Sequence, residues 1–221
     1  MEMTKIKICG LQTADQAIVA RDMGADFLGF VFVSGVKRCL QAAYARSEIE
    51  RLKDHQSTNN FFKTVGLFAD QPIEFVNKTA LECDLDMVQL CGSESLDYCR
   101  AIEKPIIKSV HITEQDSEKK LEQISNRLSG LETNGHLAML DSFQEGGYGG
   151  TGKVFNWDIA KKLAAEYDFL LAGGLNSKNV ASAVEEIQPW GVDVSSGIET
   201  NGNKDLLKVA AFIQSVRPQS I

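Results

Sequence analysis

Runs of small residues follow three apolar segments in the second half of the chain. They are Gly146–Gly152, Gly173-Gly174 and Ser195-Ser196-Gly197. Residues this small leave the backbone N–H groups accessible, so an anion can approach where a larger side chain would block it. The spacing therefore indicates a ligand that carries a phosphate group.

Two side chains at the ends of apolar segments are candidates for acid–base chemistry. Cys9 ends the first segment, and a thiolate is a competent general base. Asp141 follows Met139-Leu140, where a buried carboxyl costs free energy unless it is hydrogen-bonded or functional. A structural role remains open for both, since free cysteine is often buried as a small apolar residue and aspartate often caps turns. If both face one substrate, they form a base and an acid.

Two further charged residues are candidates for substrate binding. Arg38 follows the second apolar segment, and its guanidinium could bind a carboxylate through two parallel hydrogen bonds. A solvated loop charge is the alternative for Arg38. Asp193 interrupts a later apolar segment, where it could bind a substrate hydroxyl or an internal partner.

Short apolar runs rich in β-branched residues alternate with helix-period segments along the whole chain. Such runs are typical of parallel strands covered by helices. The predicted strands are Lys5–Cys9, Phe27–Phe32, Thr64–Phe68, Met87–Cys91, Pro105–Val110, Leu137–Ser142, Phe169–Ala172 and Gly191–Ser195. Eight βα units without a break in composition predict an α/β protein with a closed (β/α)8 barrel, as one domain over residues 1–221. An open, doubly wound sheet is the alternative, but no Gly-x-Gly-x-x-Gly follows the first strand.

Local signals predict where several helices begin and where the connectors lie. Thr13 begins a capping box that opens the first helix, Asn176-Ser177 opens a later one, and the last runs from about Asp205. Polar connectors are predicted over Lys53–Lys63 and Ser129–Gly135.

Composition limits the classes of function. The net charge of -7 and the pI near 5.1 argue against a nucleic-acid binder, which is usually basic. The sequence has no apolar run of the kind that forms a signal peptide or a membrane span. Five cysteines without a Cys-x-x-Cys pair favour reduced thiols and a cytoplasmic location. The three histidines show no paired spacing, which argues against a metal site.

A series of motifs in chain order resembles the phosphoribosylanthranilate isomerase family. The motifs are Lys7-Ile8-Cys9-Gly10-Leu11, Gly29-Phe30-Val31-Phe32, Lys37-Arg38, Val88-Gln89-Leu90, Asp141 with Gly149-Gly150-Thr151-Gly152, Ala172–Asn176 and Val192–Gly197. Because they span the first to the last predicted strand, the resemblance is specific. It implies a TIM barrel enzyme of tryptophan biosynthesis that needs no cofactor or metal, acts on a phosphorylated small molecule, and is a monomer or a homodimer.

The resemblance also implies roles for individual residues in an Amadori rearrangement. Asp141 would protonate the ribose ring oxygen of N-(5-phosphoribosyl)anthranilate, and Cys9 would then take the proton from C2 of the sugar. Arg38 would face the anthranilate carboxylate, and the turns at Gly173-Gly174 and at Ser195-Ser196-Gly197 would hold the phosphate. At neutral pH a free carboxyl is mostly ionised and a free thiol mostly protonated. The site must therefore raise the pKa of the aspartic acid or work with a small protonated fraction, and it must favour the thiolate.

The chain departs from the family pattern at Cys91, where histidine is common. A thiol is a weaker hydrogen-bonding group than an imidazole, so this change concerns the substrate contact after the fourth strand and not the acid–base pair. Two rival functions are a histidine-pathway sugar isomerase and a non-catalytic phosphate-binding barrel. The sugar isomerase usually uses two aspartates as its acid and base, so a cysteine at position 9 argues against it. The presence of both Cys9 and Asp141 argues against a non-catalytic barrel.

Overall fold

The strands form a closed barrel. All eight are parallel, and each is hydrogen-bonded to its neighbours in chain order. The computed structural model describes residues 3–55, 61–112, 118–142 and 157–217. Helices alternate with the strands, so the predicted (β/α)8 architecture is confirmed.

The observed strands agree with the predicted ones to within two residues at each end. They are β1 (Lys5–Cys9), β2 (Phe27–Val31), β3 (Lys63–Phe68), β4 (Met87–Leu90), β5 (Ile106–Ile112), β6 (Leu137–Ser142), β7 (Phe169–Leu171) and β8 (Gly191–Val194). Strand residues are largely buried, as expected where helices cover one side and the barrel interior is filled with side chains.

The helices that follow the strands are mostly short. They are α1 (Ala14–Asp22), α2 (Ala42–Asp54), α3 (Ile73–Glu82), α4 (Leu96–Arg100), α5 (Glu118–Thr133), α6 (Trp157–Ala164), α7 (Val180–Ile187) and α8 (Leu206–Val216). Between β8 and α8 the chain forms a 3-10 turn (Ser196–Ile198) and a short antiparallel hairpin, β9 (Glu199–Thr200) and β10 (Asn203–Lys204).

The capping residues account for most of the predicted helix starts. The Thr13 hydroxyl accepts the N–H of Gln16 at 3.3 Å, and Asp205 caps α8 by accepting N–H groups of its first turn. The start predicted at Asn176-Ser177 is wrong, because α7 begins at Val180. Asn176 instead begins a turn that leads into α7: its N–H donates to the Asn179 side chain at 2.8 Å, and its carbonyl accepts the Val180 N–H at 3.0 Å.

The connector predicted over Ser129–Gly135 is also wrong, because α5 continues to Thr133. Leu131 in this stretch is 1 % exposed, and its apolar contact outweighs the polar composition around it. Gly135, with φ of 72°, ends the turn that follows the helix. The connector predicted over Lys53–Lys63 is shorter than expected, since α2 reaches Asp54 and β3 begins at Lys63, while residues 56–60 lie outside the described part.

One compact unit comprises Lys7–Lys108. Its strands pair in parallel register, with Cys9 opposite Gly29 and Val65 opposite Met87. The buried Glu48 of α2 accepts the Ala14 N–H at 2.6 Å and so joins α2 to the start of α1.

The second compact unit comprises Met1–Ile6 and Ser109–Ile221. Here Leu140 of β6 pairs with Leu171 of β7, and Leu170 pairs with Gly191 of β8. Phe212 of α8 is fully buried in this unit. Across the described ranges, no helix combines the length and the apolar character that crossing a bilayer requires.

Candidate active site

Cys9 is the last residue of β1 and is 4 % exposed. Gly10 follows with φ of 79°, a left-handed conformation that glycine adopts without strain. The N–H groups of Gly10 and Leu11 both donate to the Gly29 carbonyl at 2.9 Å. These bonds fix the backbone on which the thiol is carried.

Because Gly29 has no side chain, the Cys9 side chain can occupy the space next to it. A β-carbon on Gly29 would lie 3.1 Å from the sulfur of Cys9 and 3.2 Å from Nζ of Lys7. Lys7 is fully buried, so a cationic side chain and the thiol approach the same point from β1. The thiol therefore lies in a confined and polar part of this unit.

Arg38 lies in the segment that follows β2 and is half-buried, with its Nε enclosed. The segment folds back on its own strand, because Cys39 forms a parallel bridge with Val31 and the Leu40 N–H donates to the Val31 carbonyl at 2.8 Å. Arg38 is thus held near the carboxyl end of β2, where the sequence analysis expects it.

Cys91 directly follows β4 and is half-buried. Its N–H donates to the Phe68 carbonyl at 2.9 Å, and its sulfur accepts a hydrogen bond from Nε2 of the buried Gln89 at 3.1 Å. This bond helps to fix the orientation of the Cys91 side chain.

A buried ion pair fixes the turn that carries Cys91. Nζ of Lys108 lies 2.8 Å from Oε2 of Glu94, and each side chain is 1 % exposed. The same ammonium donates to the Gly92 carbonyl at 2.7 Å, while Oε1 of Glu94 accepts the Asp70 N–H at 2.8 Å. A β-carbon on Gly92 would collide with the Asp70 carboxylate. The turn after β4 is therefore rigid.

In the other unit, Asp141 is the next-to-last residue of β6 and is half-buried. The Ala172 N–H donates to the Leu140 carbonyl at 2.8 Å, which places the carboxyl end of β6 beside that of β7. Asp141 consequently lies next to the turn at Gly173-Gly174. The motif at Gly149–Gly152 lies outside the described residues.

The turn after β7 has a backbone that only glycine adopts readily. Gly173 and Gly174 have φ of 88° and 66°. The side-chain amides of Asn176 and Asn179 donate to the Gly174 carbonyl at 3.2 Å and 3.0 Å. That carbonyl is therefore fixed, and with it the plane of the following peptide group.

The turn after β8 packs directly against the turn after β7. A β-carbon on Gly197 would overlap the Leu175 carbonyl oxygen, so glycine is required at this position. Ser195 and Ser196 immediately precede it and are both half-buried. The structure thus brings the two predicted phosphate turns together within one unit.

Lys204, which no pattern in the sequence indicates as a site residue, lies beside the turn after β8. Its side chain is 1 % exposed, and Nζ donates to the Ser195 carbonyl at 2.7 Å and to Oε1 of Glu199 at 3.2 Å. In sequence Lys204 is a single lysine in a polar stretch, and nothing there distinguishes it from a surface charge. Gly29 stands in the sequence only as part of a motif, and the contacts that give Gly29 and Glu94 their supporting roles are with residues distant in sequence.

Asp193 is buried within β8 at 7 % exposure. Its burial agrees with either of the two roles that the sequence left open. In the part of the chain that the structure describes, no three His, Cys, Asp or Glu side chains form a cluster that could hold a metal ion.

Comparison with known proteins identifies the family. The model of the N-(5'-phosphoribosyl)anthranilate (PRA) isomerase family matches residues 6–215. A relative from Pelobacter propionicus, named N-(5'-phosphoribosyl)anthranilate isomerase, is 39 % identical over 213 residues, which cover 96 % of this chain and 95 % of that protein.

Solved structures of similar proteins agree with this match. The phosphoribosyl anthranilate isomerase from Thermotoga maritima superposes with a TM-score of 0.83 at 30 % identity, covering 97 % of this chain and 99 % of that one. A phosphoribosyl anthranilate isomerase in complex with reduced 1-(o-carboxyphenylamino)-1-deoxyribulose 5-phosphate superposes with a TM-score of 0.79, at 30 % identity and the same coverage. The chain belongs to the N-(5'-phosphoribosyl)anthranilate isomerase family.

Proposed function

We propose that this protein is an isomerase of tryptophan biosynthesis that converts N-(5-phosphoribosyl)anthranilate to 1-(2-carboxyphenylamino)-1-deoxyribulose 5-phosphate. The family match over residues 6–215 supports this reaction, and so does the phosphorylated ligand in the similar structure. The observation that carries the proposal is the buried Cys9 thiol at the end of β1, with space preserved for it by Gly29.

Asp141 acts first, as the general acid. Its carboxyl donates a proton to the ribose ring oxygen while the bond between that oxygen and C1 breaks, and the nitrogen lone pair forms a Schiff base with C1. Asp141 is suited to this step because it lies at the carboxyl end of β6, where barrel enzymes carry their catalytic groups.

Cys9 acts second, as the general base. Its thiolate takes the proton from C2, the C2–H electron pair forms a double bond to C1, and the electrons of the C1–N double bond return to nitrogen. The resulting enolamine tautomerises to the ketone by moving a proton from the C2 hydroxyl to C1. The substrate gains one proton from Asp141 and loses one to Cys9, so its composition is unchanged. Asp141 ends as a carboxylate and Cys9 as a thiol, and exchange of one proton each with solvent restores both before the next turnover.

The remaining site residues bind and orient the substrate. Arg38 binds the anthranilate carboxylate, and the Cys91 thiol, oriented by the hydrogen bond from Gln89, contacts the substrate after the fourth strand. Asp193 binds a sugar hydroxyl. Backbone N–H groups at Gly173-Gly174 and at Ser195-Ser196-Gly197 bind the phosphate, which fixes the sugar between the acid and the base.

Steady-state turnover of N-(5-phosphoribosyl)anthranilate, followed as the loss of substrate, tests the assignment. Cys9→Ala and Asp141→Asn should each lower kcat by about two to four orders of magnitude, the usual contribution of a positioned acid or base. Cys83→Ala is the matched control for Cys9, since Cys83 is a buried thiol on the outer side of the barrel sheet, after α3. Wild-type turnover in either folded site variant would overturn the roles.

We also propose the wider setting of the enzyme. A single catalytic domain over residues 1–221 works in the cytoplasm as a monomer or a homodimer, without a cofactor, nucleic acid or membrane as a partner. The acidic net charge of -7 supports the exclusion of nucleic acid. Gel filtration at several protein concentrations distinguishes the monomer from the dimer.

A further inference from the structure

Lys204 is a buried cation that donates a hydrogen bond to the backbone carbonyl of Ser195, in the proposed phosphate site. It lies on β10, beyond the turn itself, and its ammonium donates to the Ser195 carbonyl at 2.7 Å. Burying an ammonium is costly unless it is paired and hydrogen-bonded, and Oε1 of Glu199 at 3.2 Å supplies the countercharge. The hairpin of β9 and β10 thus brings a positive charge to the underside of the turn.

The bond to the Ser195 carbonyl also determines the direction of the next N–H group. A trans peptide is planar, and its C=O and N–H point in opposite directions. With the Ser195 carbonyl held by Lys204, the Ser196 N–H points away from Lys204. A peptide free to rotate could instead present its carbonyl oxygen to an anion, which would repel it.

We infer that Lys204 is a positioning residue for phosphate binding, acting through the Ser195–Ser196 peptide group. This inference rests on the proposed function, in which the Ser195-Ser196-Gly197 turn holds the substrate phosphate. The Gly174 carbonyl is held in the same manner by Asn176 and Asn179, so both phosphate turns have one carbonyl held by a side chain. Lys204 differs because its donor is an ammonium paired with Glu199, whereas Asn176 and Asn179 donate through neutral amides.

Lys208 provides a matched control on the neighbouring helix. Its Nζ donates to the backbone carbonyl of Glu199 at 2.7 Å, in an exposed position. Lys208→Met removes the same charge and a comparable hydrogen bond, but it leaves the Ser195 carbonyl in place. Any effect of net charge alone on the anionic substrate appears equally in both variants.

The test compares Lys204→Met and Lys208→Met by steady-state kinetics with N-(5-phosphoribosyl)anthranilate and by competitive inhibition with inorganic phosphate. Lys204→Met should raise KM and the inhibition constant of phosphate together by about tenfold, equivalent to about 1.4 kcal/mol of binding. Its kcat should change much less, because Cys9 and Asp141 are untouched. Lys208→Met should leave all three constants within twofold, about the experimental scatter of such constants. A role confined to stability lowers Tm without moving the phosphate inhibition constant.

A second variant keeps the inference falsifiable if Lys204→Met fails to fold with Glu199 left uncompensated. The double variant Lys204→Met/Glu199→Gln removes the buried countercharge as well, and it should show the same rise in both constants. Glu199→Gln alone retains the bond to Ser195 and should bind phosphate normally. An unchanged phosphate inhibition constant in a folded Lys204 variant would overturn the inference. If the wild type binds phosphate but does not turn over the substrate, the proposed function fails while the positioning role stands.

Discussion

The β-carbon that Gly29 lacks would lie 3.1 Å from the sulfur of Cys9. The two residues are paired in register on β1 and β2, and the same β-carbon would lie 3.1 Å from Cα of Cys9, so the strand pairing also brings the two positions close together. A methyl group at position 29 would have to displace the thiol by a few tenths of an ångström. The space for the proposed base is therefore built into the neighbouring strand.

Gly29→Ala should lower kcat strongly while Tm falls only slightly. Displacing a catalytic group by 1 Å can cost about a hundredfold in rate, so a smaller shift should cost about tenfold. Turnover and Tm measured on the same preparation check this. Gly66→Ala is the contrast, because a β-carbon there would collide with Leu85 in the core, and that variant should lose Tm first. A Gly29→Ala enzyme with wild-type kcat would contradict the argument.

Gly174→Ala should weaken phosphate binding. The new side chain would stand in the proposed phosphate turn, in a backbone conformation with φ of 66°. We expect KM to rise several-fold, and a bulkier Gly174→Val to raise it further. Gly135→Ala is a matched control, because its φ is 72° and no atom lies within 4 Å of the added β-carbon. Gly135→Ala should leave KM unchanged, and an unchanged KM in the folded Gly174→Ala variant would contradict the proposed phosphate contact.

Cys91→His should lower kcat/KM by several-fold. The turn after β4 is held by Glu94 and Lys108 and cannot move aside, so the imidazole would intrude on the space that the smaller thiol leaves for substrate. The alternative result is a gain, through the stronger hydrogen bond that imidazole offers, which is worth about 0.5–1.5 kcal/mol. Kinetic constants unchanged within error in the folded variant would place Cys91 outside the substrate contacts.

Asp205 should make stability depend on pH in the acid range. The hydrogen bond from the Thr200 hydroxyl, followed by those from the N–H groups of Lys208 and Leu207, lowers the pKa of this carboxyl. Because the folded pKa lies below the unfolded one, the stabilisation is fully present above the unfolded pKa of about 3.9 and is lost as the pH falls through the folded pKa.

Thermal denaturation from pH 7 to pH 2 measures the effect of Asp205→Asn. The variant should have a lower Tm than the wild type at pH 7, and the difference should shrink below about pH 4 as the wild-type carboxyl takes up a proton. Glu186→Gln, an exposed change on α7, should differ from the wild type in Tm by a small amount that stays nearly constant across the range. A difference between Asp205→Asn and wild type that is the same at pH 2 and pH 7 would argue against the carboxylate as the source.

The strands could be predicted from sequence because their signal is local. Each is a short apolar run, and Cys9, Asp141 and Ser195 were placed at or beside strand ends from that pattern alone. The helix signal was weaker where polar residues dominate, and so Ser129–Thr133 was assigned to a connector although Leu131 is buried. Composition averages over a segment, whereas a helix needs only a few apolar residues on one face.

The supporting groups of the site could not be predicted because their partners are set by the fold. Lys108 lies within an apolar run, and its partner Glu94 comes from the turn after the previous strand. Nothing in the local sequence of either residue indicates a buried pair. Likewise, the need for glycine at position 29 follows from its register with Cys9, which exists only once β1 and β2 are paired.

The hairpin at Glu199–Lys204 has a consequence for enzyme engineering. A designer who transplants a phosphate-binding turn between barrel enzymes usually selects the loop itself, here Ser195-Ser196-Gly197. In this protein that tripeptide is supported from outside by Lys204 and fits against the Leu175 carbonyl. The smallest portable module is therefore the stretch from Gly173 to Lys204. A graft of the loop alone would lack Lys204 and the Leu175 carbonyl, which hold the loop in its conformation.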